Sequence, residues 1–417
     1  MVNEVESRIE RCRVCGGPLG EQVFAMDNQA LTGIFVKDGA AVPRHNISLS
    51  MCASERCGLT QLDQVYDLDS LFGEGYGYAS GSNPSMASHL HEMARESITK
   101  TGLGEGDIAI DIGSNDATTL SYYPTDARRI GVDPSGSNFA DEYKAINAEL
   151  VTDYFPTAKL TKMLGAAKAK LVTSYSCFYD LPDPVAFAKG VAAILAPNGI
   201  WRLEQSYMPT MLENTSFDTV CHEHIEYYRL SDIDNICTRA GLKVVDVSFN
   251  DINGGSFTVD VVHLAARASP SLGVREVLAR EAGTDWRVVF SDFRTRIETR
   301  GEQLRELLTR LKAEGSRVCA LGASTKGNVL LQHFGLDADL IESVGEISTV
   351  KFGCQTPGTS IPIVPEDDLL ASDPDYLLIL PWHFRPFFTS HPKFDERRLI
   401  FPLPIVEIVV PRGKAKA

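Results

Sequence analysis

The chain has 417 residues, 44% hydrophobic and 23% charged, enough for two or three domains with buried cores and unlike a disordered protein. Forty basic residues against fifty-five acidic ones leave a net charge of −15. That excludes a protein that tracks a nucleic-acid backbone, although a local basic patch can still hold a phosphate.

The polar start "MVNEVESRIERC" carries no signal-peptide core, and no apolar run reaches membrane-spanning length. Nine cysteines without a secretory signal point to a cytoplasmic protein with reduced thiols or a metal rather than to a disulfide framework. Two cysteine pairs near the start are spaced for metal: Cys12 and Cys15 in "CRVC", Cys52 and Cys57 in "CASERC". Gly16, Gly17 and Gly58 follow them and suit tight turns. Four thiolates from two short loops close a tetrahedron around Zn2+ and leave no open position, so the expected zinc is structural.

From about residue 102 to 247, strand-like runs alternate with helix-like segments. "IAIDIG" (Ile108–Gly113), "RIGVDPS" (Arg129–Ser135), "KLVTSY" (Lys170–Tyr175) and "GIWRLEQSY" (Gly199–Tyr207) are the strands, and "DPVAFAKGVAAILA" (Asp183–Ala196) is the clearest helix. This alternation predicts a parallel sheet with helices on both faces and a ligand at the carboxyl ends of the strands. The first strand ends in "DIGSND", where Gly113 lets the backbone approach a ligand, but the spacing is not G-x-G-x-x-G. The second ends at Asp133, about 20 residues on, where an acid accepts hydrogen bonds from ribose hydroxyls. A glycine turn and a ribose acid without the dinucleotide fingerprint fit S-adenosylmethionine (SAM) better than NAD. Cofactor contacts are expected from Asp111, Gly113, Asn115, Asp133, Pro134 and Ser174 at the strand ends.

The segment "DTVCHEHIEYYRL" (Asp218–Leu230) sets two histidines and two glutamates within five residues. A metalloprotease helix needs H-E-x-x-H, whereas here the second histidine, His224, is two residues after the first and would face another side of a helix. Acid–base work fits better: a histidine near neutral pKa can remove an acidified C–H proton, with a glutamate beside it. His222 reads as structural, and Tyr227 and Tyr228 as core or pocket wall.

"RVCALGASTKGNVLLQHFG" is an apolar strand, a glycine-serine-threonine turn and a helix, whose first amides favour an anion. Ser324, Thr325, Lys326 and Asn328 could hold a diphosphate there. "DYLLILPWHFRPFF" adds a buried strand followed by a loop with His383 and Arg385. The glycines are too few for a dinucleotide-dependent oxidoreductase.

The paired cysteines, "DIGSND", "EQSY…FDTVCHEHIEYY", "NGGSF" (Asn253–Phe257) and "GASTKGN…KFGCQTPGTSIPIV", in this order and spacing, make the chain resemble the three-domain, SAM-dependent sugar C-methyltransferases of bacterial deoxysugar pathways. The resemblance covers nearly the whole chain. It implies an α/β protein with a class I methyltransferase Rossmann-like core (76–250), a small N-terminal zinc-binding domain (1–75) and a C-terminal Rossmann-like domain (251–417) that helps bind the nucleotide diphosphate. It also implies natural-product deoxysugar biosynthesis and a nucleotide-linked, dTDP-type keto-sugar as substrate. Glu223 and His224 would lie at the sugar, His224 as base and Glu223 as positioning group. Tyr76, in the glycine-rich "FGEGYGYAS", would lie in a loop over the site.

Two positions depart from the family. Cys221 stands where a tyrosine usually precedes H-E-H, and Asp180, in "SCFYDLPDP", stands where a histidine is usual. Asp180 is retained as a catalytic candidate, a polar contact but a weaker base. These departures keep open an O- or N-methyltransferase of a non-nucleotide metabolite, and a zinc-ribbon interaction protein with an idle methyltransferase fold. A monomer is expected, since three domains can cover one another's faces.

Overall fold

The computed structural model describes residues 7–37, 40–65 and 79–411. Near the start, three antiparallel strands, β1 (Leu19–Ala30), β2 (Arg44–Cys52) and β3 (Thr60–Leu62), form a curled sheet. The two cysteine loops sit at one end of it: the Cys12 amide donates to the Gly17 carbonyl and the Gly58 amide to Ser54, the tight turns that glycine permits.

A helix, α1 (Pro84–Thr101), begins on the Asn83 cap, whose side chain accepts from the Ser85 and Met86 amides, and stops at the left-handed Gly102. It leads into the central sheet. There β4 (Ile108–Ile112), β5 (Arg128–Val132), β6 (Glu149–Val151) and β7 (Ala169–Tyr175) run parallel. Helix α2 (Pro184–Ile194) crosses to β8 (Leu195–Ser206), parallel to β7. Next come β9 (Glu226–Tyr227), α3 (Leu230–Arg239), β10 (Leu242–Asn250) and β11 (Ser256–His263).

The seven strands stand in the order β10-β11-β8-β7-β4-β5-β6, with β11 antiparallel to both neighbours. Numbered within the sheet this is 3-2-1-4-5-7-6, and the chain reverses direction between β4 and β7, which opens a crevice at their carboxyl ends. Two corrections to the expected domain limits follow. β11 belongs to this sheet, so the middle unit runs past residue 250 to His263. Strand β9 leaves it altogether and pairs with β3, as the edge of the N-terminal sheet β9-β3-β2-β1. A two-residue strand has too little hydrophobic pattern to betray such a partner. The expected boundary at 75/76 lies outside the described residues.

The 28-residue helix α4 (Trp286–Ala313), capped by Asp285, leads to the third unit. Its strands are β12 (Val318–Leu321), β13 (Val344–Glu346), β14 (Ile363–Pro365), β15 (Tyr376–Ile379), β16 (Leu399–Phe401) and β17 (Glu407–Val409). They stand in the order 3-2-1-4-5-6, with α5 (Thr325–His333) directly after β12. Here too the switch point lies beside the first strand, between β12 and β15.

One buried apolar cluster runs from Phe24, Ile47 and Leu49 of the N-terminal sheet through Phe217 and Val220 to Leu321 and Leu330 of the last unit. Polar contacts reinforce it: Asn328 Nδ2 donates to the Thr32 carbonyl at 2.8 Å, and Gln332 Oε1 accepts the Ala30 amide at 2.7 Å. The ends of the central and C-terminal sheets therefore open into a common region walled by the N-terminal sheet. No helix among the described residues is long and apolar enough to cross a membrane.

Candidate active site

At the end of β4, Gly113 has φ +72°, and a Cβ there would lie 2.8 Å from the Cys177 Cβ and Sγ. Glycine is what lets this loop and the one after β7 close on each other. Asp133, at the end of β5, ties the loops together: Oδ2 accepts the Asn115 amide at 2.8 Å, and Oδ1 accepts the Ser135 amide at 2.8 Å and hydroxyl at 2.6 Å. A carboxylate has about four acceptor positions, so room remains for ribose hydroxyls. Asn115, also left-handed at φ +47°, accepts the Ser80 amide at 2.9 Å, and Pro134 follows Asp133 at the rim.

Asp111 is buried behind this loop, accepts the Thr173 hydroxyl at 2.6 Å, and burial pushes its carboxyl up to about 7. Ser174 is fully buried and accepts the Trp201 indole N–H at 2.9 Å. Its expected cofactor contact is corrected to a core contact, because strand alternation turns it onto the face that carries Trp201. Ser80 and Cys177 were not singled out in the sequence. No motif marks them, and only the fold brings them to the glycine turn.

The H-E-H segment is an irregular stretch after the 3-10 turn Phe217–Thr219, not a helix. His224 Nδ1 lies 2.8 Å from the Thr219 carbonyl. A carbonyl only accepts, so Nδ1 carries the hydrogen and Nε2 of the neutral ring holds a free lone pair. The Tyr179 ring meets the imidazole edge-on at 4.4 Å. Burial, with Lys326 nearby, lowers the His224 pKa to about 4, so the ring is neutral at physiological pH.

Burial raises Glu223 above the usual carboxylate range. The N-terminal wall comes close to it: a Cβ on Gly33 would lie 3.1 Å from its Oε1. Asp180 is raised well above its ordinary value by burial and by Glu223 and Glu226, and its Oδ1 is buried without a hydrogen bond. His222 is buried against His45, ring centroids 6.1 Å apart, and burial lowers it to about 3, as suits a structural histidine. A cavity of about 10 Å³, the space of one water, is lined by Tyr179, Ser206, Thr219, His224, Glu226 and Tyr227, with Met208 and Met211.

From the third unit, Lys326 reaches this region. Its Nζ donates to the Asn253 carbonyl of "NGGSF", and burial lowers its pKa, with Asp218 and Cys221 as charged or ionisable neighbours. Asp218 Oδ2 in turn accepts the Trp382 indole N–H at 2.8 Å. His383 follows Trp382, and burial and Lys326 hold it well below its ordinary pKa. Ser324 caps α5 through the Gly327 amide, 3.1 Å, with Thr325 next to it.

Two expected substrate contacts are corrected. Asn328 is fully buried and binds Thr32 of the N-terminal wall. Arg385 pairs with Glu407 and stacks on Phe401 at 4.6 Å, so its charge is already used at the sheet edge. Tyr76 lies outside the described residues.

The four expected metal ligands do meet: the Sγ atoms of Cys12, Cys15, Cys52 and Cys57 all lie within 4.8 Å of one another. The Gly17 and Ser54 amides donate to Cys15 and Cys52 sulfur at 3.3 and 3.4 Å, as metal-knuckle turns do. The bare thiols disfavour one another's ionisation. Cys12 is held down to about 4 by the Cys57 hydrogen bond, whereas burial first and the other thiols second push Cys52 up to about 12. A divalent cation removes that conflict by binding all four as thiolates. The donor set fits tetrahedral zinc.

A glycine turn and an acid at the switch point of a 3-2-1-4-5-7-6 sheet define a class I, SAM-dependent methyltransferase. Family models match in three consecutive stretches: "Putative zinc binding domain" over residues 12–72, "Methyltransferase domain" over 86–247, and "C-methyltransferase C-terminal domain" over 251–404. The C-methyltransferase NovU of Streptomyces niveus is 31% identical over 417 residues, covering 98% of this chain and 99% of that protein. The chain belongs to the C-methyltransferase family. Among solved structures, a chain of the Haloferax volcanii complex of the Trm112 methyltransferase activator with a methyltransferase is 16% identical, covering 46% of this chain and 95% of its own, TM-score 0.36. The N-methyltransferase NodS of Bradyrhizobium japonicum WM9 in complex with S-adenosylhomocysteine is 12% identical, covering 43% and 88%, TM-score 0.33.

Proposed function

We propose that the protein methylates a carbon beside the ketone of a nucleotide-linked deoxysugar, of dTDP type, in natural-product biosynthesis. The observation that carries this reading is His224: its tautomer is held by the Thr219 carbonyl, its Nε2 is free to accept a proton, and a buried lysine stands near it. Nε2 takes the proton alpha to the ketone. The electron pair of that C–H bond forms the new bond to the SAM methyl, the methyl–sulfur bond breaks, and S-adenosylhomocysteine leaves. The sulfonium already makes the methyl electrophilic, so the protein's part is positioning and deprotonation.

Gly113, Asn115, Asp133 and Pro134 frame the cofactor, with Asp111 bracing the turn. Ser324, Thr325, Lys326 and His383, at the switch point of the C-terminal sheet, take the diphosphate, and Glu223 and Asp180 face the sugar. The zinc domain serves as wall rather than catalyst, and the protein acts as a monomer.

Calorimetry with S-adenosylhomocysteine and, separately, dTDP, UDP and GDP tests this. Binding of the cofactor product and of one nucleotide is expected. Cofactor binding with none of the three nucleotides would instead favour O- or N-methylation of a non-nucleotide metabolite, the reading that Asp180 and Cys221 leave room for. His224→Asn is expected to lower turnover by about 10³-fold or more, in the range general-base catalysis supplies, with S-adenosylhomocysteine affinity unchanged. A variant that turns over normally removes the assignment.

A further inference from the structure

Helix α1 meets the central sheet through a histidine. His89 Nε2 lies 2.7 Å from Oε1 of Glu204, near the carboxyl end of β8, and the two side chains are 14% and 2% exposed. The other oxygen of Glu204 is supplied from behind: Oε2 accepts the Asn250 side-chain amide at 2.6 Å and the Thr258 hydroxyl at 3.0 Å. A carboxylate only accepts, so His89 Nε2 carries the hydrogen. The second ring nitrogen, Nδ1, makes no hydrogen bond among the described residues.

This pair stands beside the glycine turn. Glu204 lies opposite Tyr175, the last residue of β7, and its carbonyl accepts the Ser176 amide at 2.7 Å. Ser176 is left-handed, φ +53°, and leads into Cys177, on which Gly113 closes. The start of α1 is anchored to the same turn: the Ser80 amide donates to Asn115 Oδ1 at 2.9 Å and the Gly81 amide to Asp116 Oδ2 at 2.7 Å. Asp133 lies on the far side. In the strand order β8-β7-β4-β5, Asp133 follows β5 and Glu204 is on β8, three strand spacings away, about 14 Å. A nucleoside on Asp133 with its sulfur at the turn therefore sends its remaining arm towards β8 and α1. In SAM that arm is an α-amino acid.

We infer that His89, oriented by Glu204, binds the amino-acid end of SAM. Nδ1 of the neutral ring accepts from the α-ammonium. A ring protonated at both nitrogens would donate to the α-carboxylate instead, so the arm offers a complementary group in either state. A mere tether between helix and sheet has no use for a ring nitrogen without a partner, and Leu90 and Met93 already pack α1 against Tyr175 of β7. His89 is thus a cofactor-binding residue, and Glu204, with Asn250 and Thr258 behind it, is the positioning residue. The inference rests on the cofactor lying at the glycine turn and is independent of the sugar.

The test is calorimetry on the full-length, zinc-loaded protein with two ligands: S-adenosylhomocysteine, and 5′-methylthioadenosine, which keeps the nucleoside and the thioether but lacks the amino acid. Wild type should hold S-adenosylhomocysteine the more tightly. His89→Gln should lower that affinity about tenfold or more, the scale of a hydrogen bond to a charged group, and move 5′-methylthioadenosine less than about twofold. Glu204→Gln, which keeps the ring but loosens its hold, should give a smaller loss with the same selectivity. Asp133→Asn should weaken both ligands, since both carry the ribose hydroxyls. Equal losses for the two ligands in His89→Gln would make the pair a structural tether and overturn the inference. An unchanged S-adenosylhomocysteine affinity, or a wild type that holds both ligands equally, overturns it too. If His89→Gln does not fold, Glu204→Gln decides by the same comparison. Asp133→Asn without effect on either ligand would sink the placement of the cofactor, and the His89 comparison would still decide what that residue binds.

Discussion

Asp180 shows how a single side chain can be chemically different from what its letter implies. Burial and two neighbouring glutamates raise its pKa, so the folded protein binds this proton more tightly than the unfolded chain does. Stability therefore falls as pH rises above the unfolded value of about 4, the reverse of a salt-bridged aspartate. Asp180→Asn copies the neutral acid and has no proton to lose. It is expected to melt higher than wild type at pH 8, by about 2–4 °C per kcal/mol recovered, and to show no gain at pH 4. Thermal scans at the two pH values check this, and a loss at pH 8 would mean that Asp180 is ionised.

The histidine-glutamate run drew His224 out of the sequence as the candidate base, and the structure buries that ring with Nδ1 on the Thr219 carbonyl. The burial of Glu226, and its pairing with Arg13, were not legible. The two residues lie in different halves of the chain, and only the β3–β9 pairing brings them together. Asn328 and Arg385 were misread for the same reason: a polar side chain in a glycine-rich turn or aromatic loop looks free until the domain or strand that uses it is known.

Turns and strands carried the strongest signals. The glycine after β4 and the acid after β5 were placed correctly by the apolar runs before them, since a buried parallel strand is a short apolar stretch that ends where the ligand begins. Gly113→Ala tests how tightly that turn is specified. A left-handed alanine costs about 1–2 kcal/mol on conformation alone, and here the methyl also meets Cys177. The expected outcome is at least about a tenfold loss of S-adenosylhomocysteine affinity, 1.4 kcal/mol, measured by calorimetry on protein that retains its zinc. Equal affinity would mean that the loop has a second conformation for the cofactor. What periodicity could not supply was the fate of β9 and β11. An antiparallel seventh strand and a two-residue strand donated to another sheet are decided by partners distant in sequence, not by local pattern.

At the scale of the molecule, the zinc knuckles are tied to the proposed catalytic segment by polar contacts and share one apolar cluster with the central sheet, without strand pairing to it. Arg13 reaches Glu226 from the first knuckle, and from the other side Arg229 Nη2 donates to the Cys57 carbonyl of the second at 3.0 Å. The loops proposed to hold SAM instead follow β4, β5 and β7, none of which pairs with a strand of the N-terminal sheet among the described residues. Chelation should separate the two functions. Structural zinc contributes about 10–16 kcal/mol in small domains, so its removal should release four reactive thiols, lower the first melting transition by about 10 °C or more, and abolish methyl transfer. S-adenosylhomocysteine should still bind, because its turn keeps its own sheet. Thiol titration, calorimetry and turnover on the same chelated sample decide the matter. Immediate inhibition without melting or thiol release would make the metal catalytic, which four cysteine ligands and no open position argue against. Loss of cofactor binding together with zinc would mean that the N-terminal sheet supports the whole crevice and not only the segment around His224.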